Sequence, residues 1–367
     1  MSRLHNFSAG PGALPLAVLE EAREAMLELP GAGASITEIS HRSEPFAAIL
    51  AETKDNVRSL LGIGDEYEVL LLQGGAQQQF ALIPMNFLAG TGRCGEYVVS
   101  GYWANKAYRE AAAEGHSAAL WDGAGDDYRR MPAASELALD GPRRARAAYV
   151  HYTANETIQG TQLRELPDLG AVPAICDASS DILSRPLPME RCSMLYASAQ
   201  KNLGPAGLTL VIAHRDLLQR GARGLHPMLD YRELAVQDSV LNTPPVFAIY
   251  VTLLVTRWIR DQIGGLQAMA HRNRAKAELL YRVLDDSDGF YRGHARQESR
   301  SHMNVTWRLA DEELERRFLG EAAAAGCIEL RGHRSVGGIR ASLYNAVSPE
   351  SCRVLAAFMV EFQRRYG

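Results

Sequence analysis

Two rhythms of apolar and polar positions alternate along the chain. Short, nearly continuous apolar runs, "YEVLLL" (67–72), "EYVVS" (96–100), "AAYVHY" (147–152) and "VPAICD" (172–177), predict buried strands. Segments of helical period lie between them. "QGGAQQQFALIPMNFLA" turns at Gly74-Gly75 and enters a helix, and "WANKAYREAAAEG" follows the second run. Strands alternating with helices predict a parallel sheet with crossover helices. Ligands of such sheets bind beyond the carboxyl ends of the strands. Further helices are expected at "LPLAVLEEAREAMLEL", with Pro15 near its first turn, and at "PFAAILAETKDNVRSLL", where Phe46, Ile49, Leu50, Val57, Leu60 and Leu61 share a face. "NTPPVFAIYVTLLVTRWIR" reads as a helix capped by Asn242 or Thr243.

The texture changes near residue 260. Long charged helices surround two strand-like runs, "HMNVTWRL" and "GGIRASLYN". The pattern predicts a large α/β domain over 16–260, its mostly parallel sheet flanked by helices. A smaller α+β domain is expected from 1–15 and 261–367. The polar segment 122–145 reads as a surface excursion.

Composition narrows the function classes. A net charge of −4 spread over 367 residues offers no general surface for nucleic acid. The most apolar stretch, 246–259, is too short to span a bilayer. The opening 15 residues lack the long apolar run of a signal peptide. The five cysteines are scattered, with no C-x-x-C spacing. That argues against a disulfide framework or a metal site and for a reducing, cytoplasmic compartment.

Three features converge on one chemistry. Lys201 follows the expected strand "MLYASAQ" and precedes the turn "NLGPAGL". A lysine held there away from bulk water can act as a nucleophile toward a carbonyl; taken alone, it reads far more readily as an exposed loop lysine. Asp177 ends the strand "VPAIC", where a carboxylate could hold a pyridinium nitrogen protonated, or simply cap the next segment. The strand–Gly74-Gly75–helix junction forms an anion cup of backbone N–H groups, although many such turns carry glycines for packing alone.

Taken in order, "FSAGPGALP", "ISHRS", "QGGAQQQF", "SGYWANKAYREA", "HYTANETIQGT", "DASSDILSRP", "SAQKNLGPAGLTLV", "NTPPVFAIY" and "GHRSVGGIRASLYNA" resemble the phosphoserine aminotransferase family from Asn6 to the C-terminus. The resemblance implies a fold-type-I enzyme of pyridoxal 5'-phosphate, acting in serine biosynthesis as a cytoplasmic homodimer with shared active sites. It would exchange an amino group between O-phospho-L-serine and 2-oxoglutarate, giving 3-phosphohydroxypyruvate and L-glutamate. Some relatives also use 4-phosphohydroxy-L-threonine in pyridoxine synthesis, which the residues leave open.

Carried over motif by motif, Lys201 resembles the lysine that carries the cofactor, Asp177 the partner of its ring nitrogen and Trp103 the ring stacked on it. Gly75, Ala76, Gln77, Thr153, Ser179 and Gln200 resemble the remaining cofactor contacts. Asn242 and Thr243 resemble the pair that reaches the cofactor phosphate from the other subunit. Arg340 resembles the clamp on the substrate α-carboxylate. His41-Arg42 and His333-Arg334 resemble the phosphate-binding pairs, the first supplied by the partner. One departure stands out. Some relatives carry an arginine in the cup, where this chain reads Gly74-Gly75-Ala76-Gln77.

Other readings compete. Ser198-x-x-Lys201 matches the pattern of serine enzymes that attack β-lactams, but the chain lacks their Ser-Asp-Asn and Lys-Thr-Gly motifs. Alanine–glyoxylate or serine–pyruvate aminotransferases and cysteine desulfurases use the same fold, the last requiring a mobile cysteine. A binding protein that merely keeps the fold would not need both Lys201 and Arg340.

Overall fold

The apolar runs pair into a seven-stranded sheet in the computed structural model, which describes residues 3–165, 169–222 and 224–367. The strands are β1 (Tyr67–Gly74), β2 (Cys94–Val99), β3 (His116–Asp122), β4 (Ala147–Thr153), β5 (Ala174–Asp177), β6 (Met194–Ser198) and β7 (Gly207–His214). Their spatial order is β1-β7-β6-β5-β4-β2-β3. Only β7 runs antiparallel to its neighbours, so the other six direct their carboxyl ends to one rim.

The sheet is buried on both faces, which explains why its strands read as continuous apolar runs. In β1, Val69 and Leu71 enter one core while Leu70 and Leu72 enter the other. In β6, Leu195 and Ala197 point opposite to Met194 and Tyr196. The first face is covered by the helices Glu44–Leu61 and Val246–Arg257, which pack together and share an Asn56-to-Thr256 hydrogen bond of 3.1 Å. The opposite face is covered by the helices Ala76–Phe87 and Tyr102–Ala111.

Local signals set several boundaries. Ser43 accepts the Phe46 N–H at the start of Glu44–Leu61, and Gly62 ends that helix in the left-handed region. The cap expected at Asn242 or Thr243 is not used. Val246–Arg257 begins after Pro245, with no side-chain cap. Pro244 and Pro245 disfavour the helical conformation at Thr243 and Pro244, so the helix starts only after them and Asn242 and Thr243 stay in the connecting loop.

The segment 122–145 is more than a surface excursion. The strand leading into it, β3, forms the sheet edge, and Met131, Leu137 and Leu139 are buried in the first core. Its charged residues stay outside, with Arg130 forked onto Glu136 at 2.6 and 2.8 Å.

A second, smaller sheet pairs Arg292–Gly293, Asn304–Arg308 and Ile339–Ser342 antiparallel. Around it the helices Leu266–Asp285, Glu312–Ala324 and Pro349–Tyr366 close a third core that includes Phe7, Trp307, Phe318 and Phe362. The N-terminal His5–Asn6 pairs parallel with Cys327–Ile328.

A chain of contacts leads from this region to the large sheet's rim. Lys276, fully buried, donates to the carbonyls of Leu343 and Tyr344 at 2.8 Å and of Val347 at 3.1 Å. Tyr344 in turn donates to the Ala9 carbonyl, and the Gly12 N–H donates to the Gln200 carbonyl at 2.7 Å. A β-carbon on Gly12 would lie 2.8 Å from the Tyr344 ring and 3.0 Å from the Lys201 carbonyl, so only glycine permits this approach.

Candidate active site

Four strand ends and the start of β7 meet at one cavity of about 410 Å³, within the usual range for small-ligand sites. From β1 and the helix after it come Gly75, Ala76 and Gln77. The helix after β2 contributes Trp103, β4 contributes Thr153 and β5 ends in Asp177, with Ser179 just beyond. Gln200 and Lys201 follow β6. The structure therefore gathers Lys201, Asp177, Trp103, Thr153, Ser179, Gln200, Gly75, Ala76 and Gln77 around one space.

Lys201 Nζ donates to Thr157 Oγ1 at 2.7 Å and lies 5.9 Å from the centre of the Trp103 ring. Asp177 is buried and accepts the Ser179 N–H at 2.9 Å. Burial raises its carboxyl above the ordinary range, while the Ser179 bonds and the Lys201 charge oppose that rise. Gln200 accepts the Ser198 hydroxyl, and Ser179 Oγ accepts the Ser198 N–H. Ser198 is thus occupied by Gln200 and stands at a strand end, not at a helix start.

The helix Ala76–Phe87 opens on this cavity with Gly75 as its cap and no side chain satisfying its first N–H groups. Gly74 has φ +109°, a conformation glycine tolerates, and the Gln78 side chain fills the place of its missing β-carbon.

A second cavity of about 240 Å³ holds Arg340 and His333, together with Gln159, His294, Thr306 and Arg308. Arg340 is part-buried, and burial lowers its pKa. No described carboxylate lies within ion-pair distance of it, so its fork faces the cavity uncommitted. The His333 ring lies 5.3 Å from the Tyr102 ring, next to Trp103. Arg334 is exposed and does not line this space.

His41, Arg42, Asn242 and Thr243 do not line the Lys201 cavity. Arg42 and Thr243 are exposed, and Asn242 borders a separate cavity with Gln73, Gly74 and Gln78. Cys327 and Cys352 are buried, and burial pushes both thiols up to about 11, which leaves them inert as nucleophiles. Among the described residues no cluster could hold a metal ion, and no helix is long and apolar enough to cross a membrane.

The sequence reading passed over the short hairpin Asn155–Glu156 with Thr161–Gln162. Thr157 at its turn holds Lys201 Nζ, Glu156 meets the helix that carries Trp103, and Asn155 binds Ser180 and Asn304 at 2.8 and 2.7 Å. The available signal was a run of three polar residues, Asn155-Glu156-Thr157, just past a mostly apolar strand.

The residues fit pyridoxal phosphate. Thr153 Oγ1 and Trp103 Nε1 are buried without a hydrogen-bond partner at this cavity. Asp177 is a buried carboxyl opposite the lysine, and the open helix start suits a phosphate.

Comparison with known proteins agrees. The Aminotransferase class-V family profile matches residues 4–355. A phosphoserine aminotransferase of Rhodopirellula baltica is 48% identical, with 98% of this chain and 95% of that protein covered. The structure of the phosphoserine aminotransferase from Bacillus circulans subsp. alkalophilus superposes with a TM-score of 0.96 at 46% identity, covering 100% of this chain and 99% of that one. The pyridoxal phosphate-bound phosphoserine aminotransferase of Trichomonas vaginalis superposes with a TM-score of 0.91 at 34% identity, covering 98% and 100%.

Proposed function

The chain belongs to the class-V aminotransferase family, and from that premise we propose the part each site residue plays. Its activity is that of a phosphoserine aminotransferase, and its cofactor is pyridoxal phosphate. The observation that carries the assignment of roles is Lys201 Nζ, held by Thr157 and facing Trp103 in the cavity that Asp177 closes.

When bound, the cofactor supplies a ring that accepts negative charge from the substrate Cα. Lys201 would hold it and, once released, take the proton from Cα on Nζ and deliver it two bonds away, to the cofactor carbon that had held the lysine. Thr157 Oγ1 fixes Nζ on the correct side until then. Asp177 would keep the ring nitrogen protonated, its burial strengthening that interaction. Trp103 would cover the ring, and the N–H groups of Ala76 and Gln77 would hold the phosphate. Thr153, Ser179 and Gln200 would supply the remaining polar contacts.

Arg340 would take the α-carboxylate, which both O-phospho-L-serine and 2-oxoglutarate carry. His333 and Arg334, with His41 and Arg42, would take the substrate phosphate. His41, Arg42, Asn242 and Thr243 lie away from the cavity of their own chain, which favours a homodimer whose partner completes each site. The small C-terminal unit, 261–367 with 1–15, would form the second wall of the cleft against 16–260. A cytoplasmic location suits five free thiols.

Mixing two inactive variants tests the shared site. Lys201→Ala and Arg42→Ala subunits, unfolded and refolded together, should recover about a quarter of wild-type phosphoserine turnover, because one site of each mixed dimer is intact. No recovery, with mixed dimers demonstrated by mass, refutes the sharing.

A further inference from the structure

Glu156 is completely buried, and no described cation pairs with it. Its carboxylate accepts the Trp103 N–H at 3.2 Å and the Ala104 N–H at 3.0 Å, with the Ser100 hydroxyl at 3.4 Å. Those amides open the helix Tyr102–Ala111. The residue at the cap, Gly101, has no side chain to offer, so the capping group comes from far along the chain. Gly101 must be glycine for this to happen, since a β-carbon there would lie 2.5 Å from Glu156 Cδ. Gln159 on the same turn accepts the Tyr102 N–H at 3.4 Å.

We propose that Glu156 is a positioning residue of the reaction, holding the start of this helix so that the Trp103 ring sits over the cofactor. The reason lies in what the neighbouring residue does. Thr157, one position on, holds Lys201 Nζ at 2.7 Å. One turn of chain therefore fixes both the group that covers the ring and the group that carries it. A local cap would hold the helix without relating Trp103 to Lys201. The turn is itself anchored to the smaller sheet, because the Gln159 carbonyl accepts Thr306 Oγ1 at 3.0 Å and the Gly160 carbonyl accepts the Ser301 N–H at 2.9 Å. Burial pushes Glu156 up to about 7, opposed by the Ala104 and Trp103 N–H bonds and by Lys201, while Asp177 adds to the rise. A buried acid that stands at such a cost for capping alone would be replaceable by a neutral side chain.

The inference rests on the assignment of Trp103 to the cofactor ring, and the test separates the two. Quenching of tryptophan fluorescence is followed as pyridoxal phosphate is titrated into the cofactor-free protein, with Trp103→Phe defining the share due to Trp103. Trp103→Phe should show less quenching than wild type; equal quenching in both overturns the Trp103 assignment. Given that difference, Glu156→Gln should lose most of the Trp103 share and bind the cofactor roughly tenfold more weakly. Its kcat should fall about 10²-fold, with KM for O-phospho-L-serine changed less than about threefold, because the anion contacts are untouched. Wild-type quenching and wild-type kcat in folded Glu156→Gln overturn the proposal. If that variant does not fold, Gly101→Ala asks the same question from the helix side. It should displace the carboxylate and give the same paired loss, and wild-type values in it overturn the proposal equally.

Discussion

Replacing Arg340 by alanine should damage both half-reactions alike. Its guanidinium is part-buried and faces a cavity of about 240 Å³. Asp127 also lines this cavity, but among the described residues no carboxylate lies within ion-pair distance of Arg340, so its fork is available to a ligand. A carboxylate held by two charge-assisted bonds gains about 1.5–3 kcal/mol from each. Part of this returns in the variant because the cavity admits water. A net loss of about 3–4 kcal/mol remains, or roughly 200- to 1000-fold in kcat/KM. Arg340→Lys keeps the charge but loses the planar fork, and should recover only part of that loss, leaving about 10- to 50-fold. The assay follows each half-reaction separately by the cofactor's absorbance, with O-phospho-L-serine and with L-glutamate as amino donors. Both donors carry the α-carboxylate, so both should weaken by similar factors. A loss confined to O-phospho-L-serine would mean that Arg340 binds the phosphate, and a loss below about fivefold for both would remove it from substrate binding.

Three further outcomes follow from the same geometry. Asp177→Asn should still bind cofactor but slow proton transfer from Cα by about 10²-fold or more, visible as a larger kinetic isotope effect with Cα-deuterated substrate; an unchanged rate removes Asp177 from the mechanism. Lys276→Met removes the side-chain donor shared by three buried carbonyls, of which only that of Tyr344 keeps another donor, the Val347 N–H, and should cost about 3–5 kcal/mol, read as a drop of several degrees in Tm by calorimetry; a Tm within about a degree of wild type would refute it. Burial lowers His151 to about 3, and burial with the charges of Arg164, Arg274 and Arg185 lowers His302 to about 3. Both folded values lie below the ordinary histidine value of about 6.5, so the unfolded chain binds more protons between those limits. Stability should therefore be full above about pH 6.5 and fall as the pH drops below it, and His302→Gln should flatten the slope. A Tm unchanged between pH 7.5 and 5.0 would contradict this (pH values are about those of the test buffers).

The sheet was legible because burial on both faces leaves an unbroken apolar run, as in "YEVLLL" and "AAYVHY". The edge strand β3 was not. Its residues, "HSAALWD", are only part-buried and alternate weakly, so periodicity had little to detect. The loop start before Val246 was misjudged because Asn242 and Thr243 look like caps, while the two prolines after them decide the backbone. At the site, Lys201, Asp177 and the glycine turn were legible as chemistry at strand ends. Trp103, Arg340 and the His-Arg pairs drew their roles from the resemblance to a family. Glu156 and Thr157 escaped because their roles lie in contacts across the chain: one caps a helix that begins more than fifty residues earlier, the other holds a lysine more than forty residues later.

The most direct test of the central claim is the visible spectrum of the purified protein as O-phospho-L-serine is added without any keto acid. Wild-type protein should show the absorption band of bound cofactor, and that band should bleach with O-phospho-L-serine but not with equal L-serine. Lys201→Ala should show neither the wild-type band nor turnover. Bleaching and sustained turnover in Lys201→Ala would contradict the account, and equal bleaching by serine would remove the phosphate-binding role of His41, Arg42, His333 and Arg334.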